Sequence, residues 1–264
     1  MSFARKSGNR MERQAFDRMA ELDRTHWWYV GRRKIMASLI ERKVRLPAGA
    51  TILELGCGTG HNLEMLGRYG ELEAVELDDD ARALASKRLG RPVRAGKLPE
   101  IADEIGCEYD LVTLLDVLEH ISDDREALAA VVRLMKPGGK LLLTVPANPW
   151  MWSAHDTIHH HHRRYRKGEI AAIARELGLE IHLLSLFNSL LYPPIAVIRL
   201  LGKWGGKEDS DDRMPPAPLN KLLSAVFGFE RALVGRVPFP VGVSLVAILR
   251  RPVAVLNKTE SRSS

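Results

Sequence analysis

The 264-residue chain has two cysteines, Cys57 and Cys107. So few thiols exclude a disulfide framework and fit a reducing compartment. From Met1 to Arg18 the chain is polar and charged and lacks the apolar core of a secretory signal. It also lacks an uninterrupted membrane span. The best apolar run begins at Asn188, carries Pro193 and Pro194, and meets Arg199 before the ~20 apolar residues that a span needs. A cytoplasmic location is expected. What is present is ample core material: 45% of residues are hydrophobic, and the length fits one large α/β domain with additions.

Charge is uneven. Residues 1–45 carry 12 Lys/Arg and 5 Asp/Glu, residues 46–159 carry 11 and 19, and residues 160–264 carry 16 and 9. An acidic middle between two basic flanks suits attraction to an anionic lipid surface, a nucleic acid or a phosphorylated ligand, and equally a solvated surface.

The centre of the pattern is Thr51 to Gly60. Thr51–Leu55 is an apolar run with one acid, Glu54, and Gly56, Gly58 and Gly60 follow at alternate positions. The run predicts a buried parallel strand. The glycines predict a turn where bare backbone approaches a ligand near a helix N-terminus. His61–Arg68 and Ala81–Leu89 are expected as helices and Leu72–Leu77 as the second strand, carrying Glu76, 16 residues beyond Gly60. An acid at that place accepts hydrogen bonds from ribose hydroxyls. A short third strand begins at Val93. Tyr109–Leu115 predicts a fourth, followed by Asp116 to Ile121. A helix from Asp124 to Met135 stops at the Lys136-Pro137-Gly138-Gly139 turn, and Lys140–Val145 is the fifth strand. This alternation predicts a doubly wound, mostly parallel sheet that binds ligands beyond the carboxyl ends of its strands.

On the Glu54-x-Gly56-x-Gly58-x-Gly60 loop, Glu76, the Asp116–His120 segment and the Lys136–Gly139 turn, in this order, the chain resembles class I S-adenosylmethionine-dependent methyltransferases, in particular small-molecule and quinone-pathway types. A nicotinamide-dependent dehydrogenase would account for the loop and Glu76 but not for the last two signals. The resemblance implies a seven-stranded Rossmann-like sheet with strand six at Leu179–Phe187 and an antiparallel strand seven at Val241–Leu249, at the sheet edge. It implies S-adenosylmethionine as cofactor, held by Glu54 and the backbone of Gly56, Cys57, Gly58 and Gly60 at the amino-acid end. Glu76 and Leu77 would meet the ribose and adenine, Lys97 and Leu98 flank the adenine, and Leu115 and Asp116 face the methionine end. Lys97 departs from the acid common at its position and cannot accept the adenine amine.

The acceptor side is read from aromatics and histidines. Met11–Arg24 predicts an amphipathic helix, and Ile35–Ile40 repeats at helical spacing. Between them Trp27 and Trp28 are candidates to line an acceptor pocket, or to seal helix against sheet. After the fifth strand come Trp152, His155 and the run His159 to His162, then Arg163, Arg164 and Tyr165. His155, His161 and His162 are candidate bases for a hydroxyl or amine nucleophile, with His120 a poorer one. Arg163 and Arg164 offer a clamp for an anionic group, or for Asp156 and Glu169 of the chain itself; Tyr165 closes the segment. Adjacent histidines need turn geometry to converge on one ion, so no metal is expected.

The organisation expected is an N-terminal helical cap (1–45), a cofactor-binding core (46–187), an apolar helical insert (188–237), and a last strand with polar tail (238–264). The insert is a candidate peripheral contact with the inner face of a membrane, a lid for a lipid-like acceptor, a dimer contact, or packing. The function expected is methyl transfer to a small or lipid-like acceptor, at oxygen. The alternative is an inactive cofactor-binding module that serves as an adaptor. Nucleic acid is disfavoured, because no RNA-binding module is recognisable.

Overall fold

The computed structural model describes residues 22–106, 108–205 and 214–253. Cys107, most of the helix expected over Met11–Arg24, the acids Asp209, Asp211 and Asp212, and the tail from Asn257 lie outside the described residues.

The sheet has seven strands: β1 (Thr51–Leu55), β2 (Glu71–Glu76), β3 (Arg94–Ala95), β4 (Tyr109–Leu115), β5 (Met135–Pro146), β6 (Glu180–Phe187) and β7 (Ser244–Arg250). Their order is β3-β2-β1-β4-β5-β7-β6. β1 to β5 pair in parallel, and β7 is antiparallel to both β5 and β6. The chain leaves β1 toward β2 and β3, then returns to lay β4 on the other side of β1. That reversal makes a crevice beyond the carboxyl ends of β1 and β4, where such sheets bind ligands.

Two details of the sheet differ from the sequence reading. β7 is not the edge: it lies between β5 and β6, and its first six residues are buried, while the outer strand β6 begins with three exposed residues. The Lys136–Gly139 turn is absorbed into β5, where a register irregularity lets Met135 pair with Tyr109 and Lys140 with Leu111.

Helices cover both faces. Leu53, Leu55, Val112, Leu114, Leu141 and Leu143 pack toward α5 (Asp124–Leu134) and α7 (Lys167–Glu176). Ile52, Leu111, Leu142, Val246 and Ile248 pack toward α1 (Trp27–Leu39) and α9 (Ala217–Phe229). This odd–even division is the period-2 alternation of a strand buried on both sides. Between these helices in the chain lie α2 (Leu63–Leu66), α3 (Asp79–Leu89), α4 (Ile101–Ile105), α6 (Ala154–Ile158) and α8 (Tyr192–Gly205). The helix expected over His61–Arg68 is reduced to the four residues of α2, because the residues before it are held in turns by side chains described below.

The N-terminal cap and the insert, separate in sequence, share one interface. Gly31 in α1 admits Phe227 of α9 so closely that a Cβ there would sit 2.4 Å from its ring. Asn220 of α9 accepts from the Trp27 backbone N–H (2.8 Å) and donates to the Thr25 carbonyl (2.8 Å). It thereby satisfies one of the free donors of the α1 N-terminus.

Candidate active site

The turn after β1 is pinned at each residue. The Gly56 and Cys57 backbone N–H groups donate to the Val75 carbonyl (2.9 and 3.0 Å). The Gly58 N–H donates to Glu76 Oε2 (2.7 Å), and Glu76 Oε1 accepts from the Asp78 N–H (2.9 Å). Thr59 Oγ1 donates to Asp23 Oδ2 (3.0 Å), and the same carboxylate takes Arg88 Nη1 from α3 (2.7 Å). Asp23 lies before α1, so the cap reaches over and ties down the glycine turn.

Gly60 needs to be glycine twice over: its φ is +83°, and a Cβ would sit 2.7 Å from Leu63 and 2.9 Å from the Ala85 backbone. At Gly58, φ is +55° and a Cβ would meet nothing within 4 Å. The chain therefore has open space at the middle of the turn and close packing at its end.

Glu54 is buried. Its Oε1 accepts from Asn62 Nδ2 (2.8 Å), while Oε2 is buried without a hydrogen-bond partner. Burial pushes its carboxyl up to about 7, against the pull of Asn62 and Arg32. A buried carboxylate oxygen with no donor is a site for a cationic one. Leu77 is 61% exposed beside Glu76, an apolar surface where an aromatic base fits; Leu98 and Leu115 are buried. Lys97 is paired with Glu100 (3.0 Å) on the outside. These features fit a ligand with an ammonium group, a ribose and a purine: an orphan acceptor for the first, Glu76 for the second, Leu77 for the third.

Beyond β4 the chain turns at Asp116, with φ +56°. Asp116 Oδ2 lies 3.0 Å from Arg32 Nη2, an ion pair without hydrogen-bond alignment. Arg32 is buried in α1, stacks over the Trp28 ring (4.9 Å) and comes within 3.5 Å of His61 Nε2. Burial and the neighbouring arginines hold the His61 imidazole well below its ordinary value, so it is neutral.

Three residues on, Glu119 is buried, with Oε2 unpartnered. Burial first, then the Asp116 charge, raise its carboxyl well above the usual range. The histidine loop is stapled beside it: the His162 N–H donates to the Glu119 carbonyl (2.7 Å) and the His161 N–H to the Asp156 carbonyl (2.9 Å), around a turn at His160 with φ +55°. His161 Nδ1 is 2.9 Å from Asp156 Oδ1, and its ring meets that of His120 edge-on at 4.7 Å. His155 lies 6.0 Å from His161 between ring centroids. Of the three histidines expected as bases, His155 and His161 thus converge with His120, while His162 is exposed and joins through its backbone.

Several expected acceptor contacts serve the chain instead. Arg164 is buried, with Nε on Asp156 Oδ1 (2.8 Å) and Nη1 on the Ala147 carbonyl. Tyr165 is buried and donates to Asp124 Oδ2 (3.0 Å), the oxygen that also takes Arg163 Nη1 (3.0 Å). A buried guanidinium or phenol must be paired, and the protein supplies the partners. Trp27 meets Phe227 edge-on (5.6 Å) and so closes the contact between α1 and α9. Trp152 is half-buried at the start of the histidine loop.

Sequence reasoning assigned no role to Arg32, Asp23, Asn62 or Glu119. Arg32, four residues after Trp28, is readable as a stacked pair on one helix face. Glu119 is the second acid after β4, one 3₁₀ turn from Asp116.

A family model described as a methyltransferase domain matches residues 27–184. A ubiquinone biosynthesis O-methyltransferase of Xanthomonas axonopodis pv. citri is 30% identical over 216 residues, covering 72% of this chain and 88% of that protein. A protein of the same description from Nitrosospira multiformis is 29% identical over 183 residues, covering 62% and 75%. Among solved structures, a methyltransferase dependent on S-adenosylmethionine from Archaeoglobus fulgidus shares the fold, with a TM-score of 0.53 at 15% identity over 83% of this chain and 94% of that one. So does an N-methyltransferase from Bradyrhizobium japonicum in complex with S-adenosyl-L-homocysteine, with a TM-score of 0.54 at 15% identity over 88% and 91%.

Proposed function

This chain belongs to the class I methyltransferases that use S-adenosylmethionine, and from that premise we propose that it methylates a hydroxyl oxygen of a small, lipid-like aromatic acceptor, such as a hydroxylated quinone precursor. The observation that carries the reading is that His161 meets His120 beside the buried Glu119, which follows Asp116 by three residues at the end of β4. When bound, the cofactor supplies an electrophilic methyl group on a sulfonium.

The residues do the rest. Glu54 and Asn62 receive the ammonium end, Glu76 the ribose hydroxyls, and Leu77 and Leu98 the adenine. Asp116 and Leu115 border the methionine end. Asp156 holds His161 so that Nδ1 carries the proton and Nε2 faces the acceptor, where it accepts the hydroxyl proton. His155 stands behind it as a second acceptor. Trp28 and Trp152 supply apolar wall, and closing the site around a positioned hydroxyl excludes water.

The insert supports a lipid-like acceptor. On α8, Ile198 and Leu201 are 64% and 63% exposed, and on α9 Leu222 and Phe229 are 59% exposed. No helix among the described residues is long and apolar enough to cross a membrane. An exposed apolar helical pair flanked by basic residues lies on a membrane surface instead, at the cytoplasmic face in this reading.

The test is incubation with S-adenosylmethionine and a hydroxylated, prenylated quinone precursor, with mass analysis of the product. A product one methylene heavier, lost in His161→Ala, is expected. Full activity in a variant lacking His155, His161 and His162 would sink the proposed base.

A further inference from the structure

The segment that carries the histidines also carries exposed apolar side chains. Ile158 is exposed and stands three residues after His155, on the same face of α6. His155 in turn lies against the rings of His159 (4.3 Å) and His161 (6.0 Å). Trp150, also exposed, belongs to the turn Pro149–Met151 that precedes α6. Its ring meets Tyr192 at the start of α8 edge-on, at 6.3 Å. Two turns further along α8, Arg199 donates from Nη1 to the Met151 carbonyl (2.6 Å). These two contacts seat α8 on the histidine-bearing segment.

Leu190, in the turn that leads into α8, is exposed as well, yet its backbone is fixed. The Ser189 and Leu190 N–H groups both donate to Oε1 of the buried Glu230 (2.7 Å each), and Ser189 Oγ donates to the Val241 carbonyl (2.5 Å). The turn is therefore held in while the leucine side chain is held out. Between Tyr192 and Leu201 the one charged residue is Arg199, and it is turned onto Met151. The outer stripe of α8, with Val197, Ile198 and Leu201, is exposed and uncharged.

We infer that Ile158, Trp150 and Leu190 bind the aliphatic tail of the acceptor, which leaves along the outer stripe of α8 while the hydroxylated ring faces His161. The three residues then determine specificity: the acceptor is selected by its tail as well as by its ring. Polarity and size decide the occupant. An uncharged track takes an aliphatic chain and offers nothing to an acidic peptide or a polyanion. It is only a handful of side chains long, whereas a stable protein interface needs roughly 20–30 residues a side, so a second copy of the chain does not match it. One end of the track begins at the imidazoles and the other reaches the apolar stripe placed against a membrane above. A molecule with a polar ring and an apolar chain satisfies both ends. The place of the ring rests on the function proposed above; the tail track does not.

The test uses full-length protein, without detergent or vesicles, and one hydroxylated quinone precursor carrying a methyl, a geranyl or a farnesyl substituent. KM should fall at least about tenfold from the methyl to the geranyl acceptor. That ratio should shrink to about threefold or less in Leu190→Ser and Trp150→Ser. It should keep its wild-type value in Ile181→Ser on β6 and Leu222→Ser on α9, which remove exposed apolar side chains elsewhere. Geraniol, a tail without a ring, reads the track without methyl transfer. Calorimetry should find one equivalent bound, weakened at least about fivefold in Leu190→Ser and Trp150→Ser. Cofactor binding by each variant reports that it is folded. A KM indifferent to tail length, no geraniol binding by the wild type, or equal weakening by Leu222→Ser overturns the inference. Geraniol binding weakened only in Leu190→Ser and Trp150→Ser, with no transfer to any acceptor of the series, supports the track and counts against the function proposed above.

Discussion

Glu54 near the end of β1 and Glu119 in the turn beyond the neighbouring β4 are both buried, both with one oxygen lacking a partner. They differ in what surrounds them. Glu54 is set into a turn whose every residue bonds within about two dozen positions of sequence or to the cap, and Asn62 fixes its orientation. Glu119 faces a loop more than 35 positions away that is ordered by a second buried carboxylate, Asp156. The side proposed for the cofactor is thus a local construction on one βα unit. The side proposed for the acceptor exists only where two loops meet. Arg32 of α1 belongs to both: it pairs with Asp116 and its charge acts on Glu54 and on Glu119.

That shared cation gives the strongest way to break the contrast. Arg32→Met leaves Asp116, Glu54 and Glu119 without their common countercharge and should cost on the order of 3–5 kcal/mol, with cofactor binding and transfer lost together. Urea unfolding followed by calorimetry of cofactor binding measures both, and retention of either function alone would contradict the shared role.

Asp156→Ala separates the sides. It strands Arg164 and releases His161, at about 3 kcal/mol. Transfer should drop at least a hundredfold while cofactor affinity stays within about twofold. Glu54→Gln is the reverse: cofactor affinity should fall roughly 10- to 100-fold as a charge-assisted contact becomes a neutral one, and the histidine loop should be unaffected in a chemical-shift comparison.

The smallest expected effect is on pH. Glu54 is raised from 4.5 to about 7 by burial. A carboxyl raised on folding is more protonated in the native state, so its contribution to stability is full below its unfolded value and is lost as pH rises from 4.5 through 7. Cofactor binding runs the other way, because an ammonium prefers the ionised form. Affinity should weaken about tenfold between pH 7.5 and pH 6, with proton release on binding near pH 6. Both trends should be absent from Glu54→Gln; a wild-type affinity flat across this range would show that Glu54 does not meet the ammonium.

The sequence by itself determined the sheet and its ligand edge. The apolar runs at Thr51–Leu55 and Tyr109–Leu115, the alternate glycines and the acid at Glu76 are each signals local to one strand or one βα unit, where spacing along the chain is spacing in space. It also singled out the histidines after the fifth strand as candidates for the chemistry. Tertiary structure alone decided how those histidines are used. For Arg163 and Arg164 the sequence left open an acceptor clamp or a pairing with Asp156 or Glu169; packing gave Arg164 to Asp156, and Arg163 and Tyr165 to Asp124, about 40 positions away along the chain. Arg32 and Asp23 were invisible as site residues because only the fold lays the cap across β1 and β4. The place of β7 inside the sheet was likewise set by burial, since the strand that can cover both its faces takes the interior position. The physical reason is that a buried surface, apolar or charged, must find a matching partner, and which one it finds depends on the path of the chain through space.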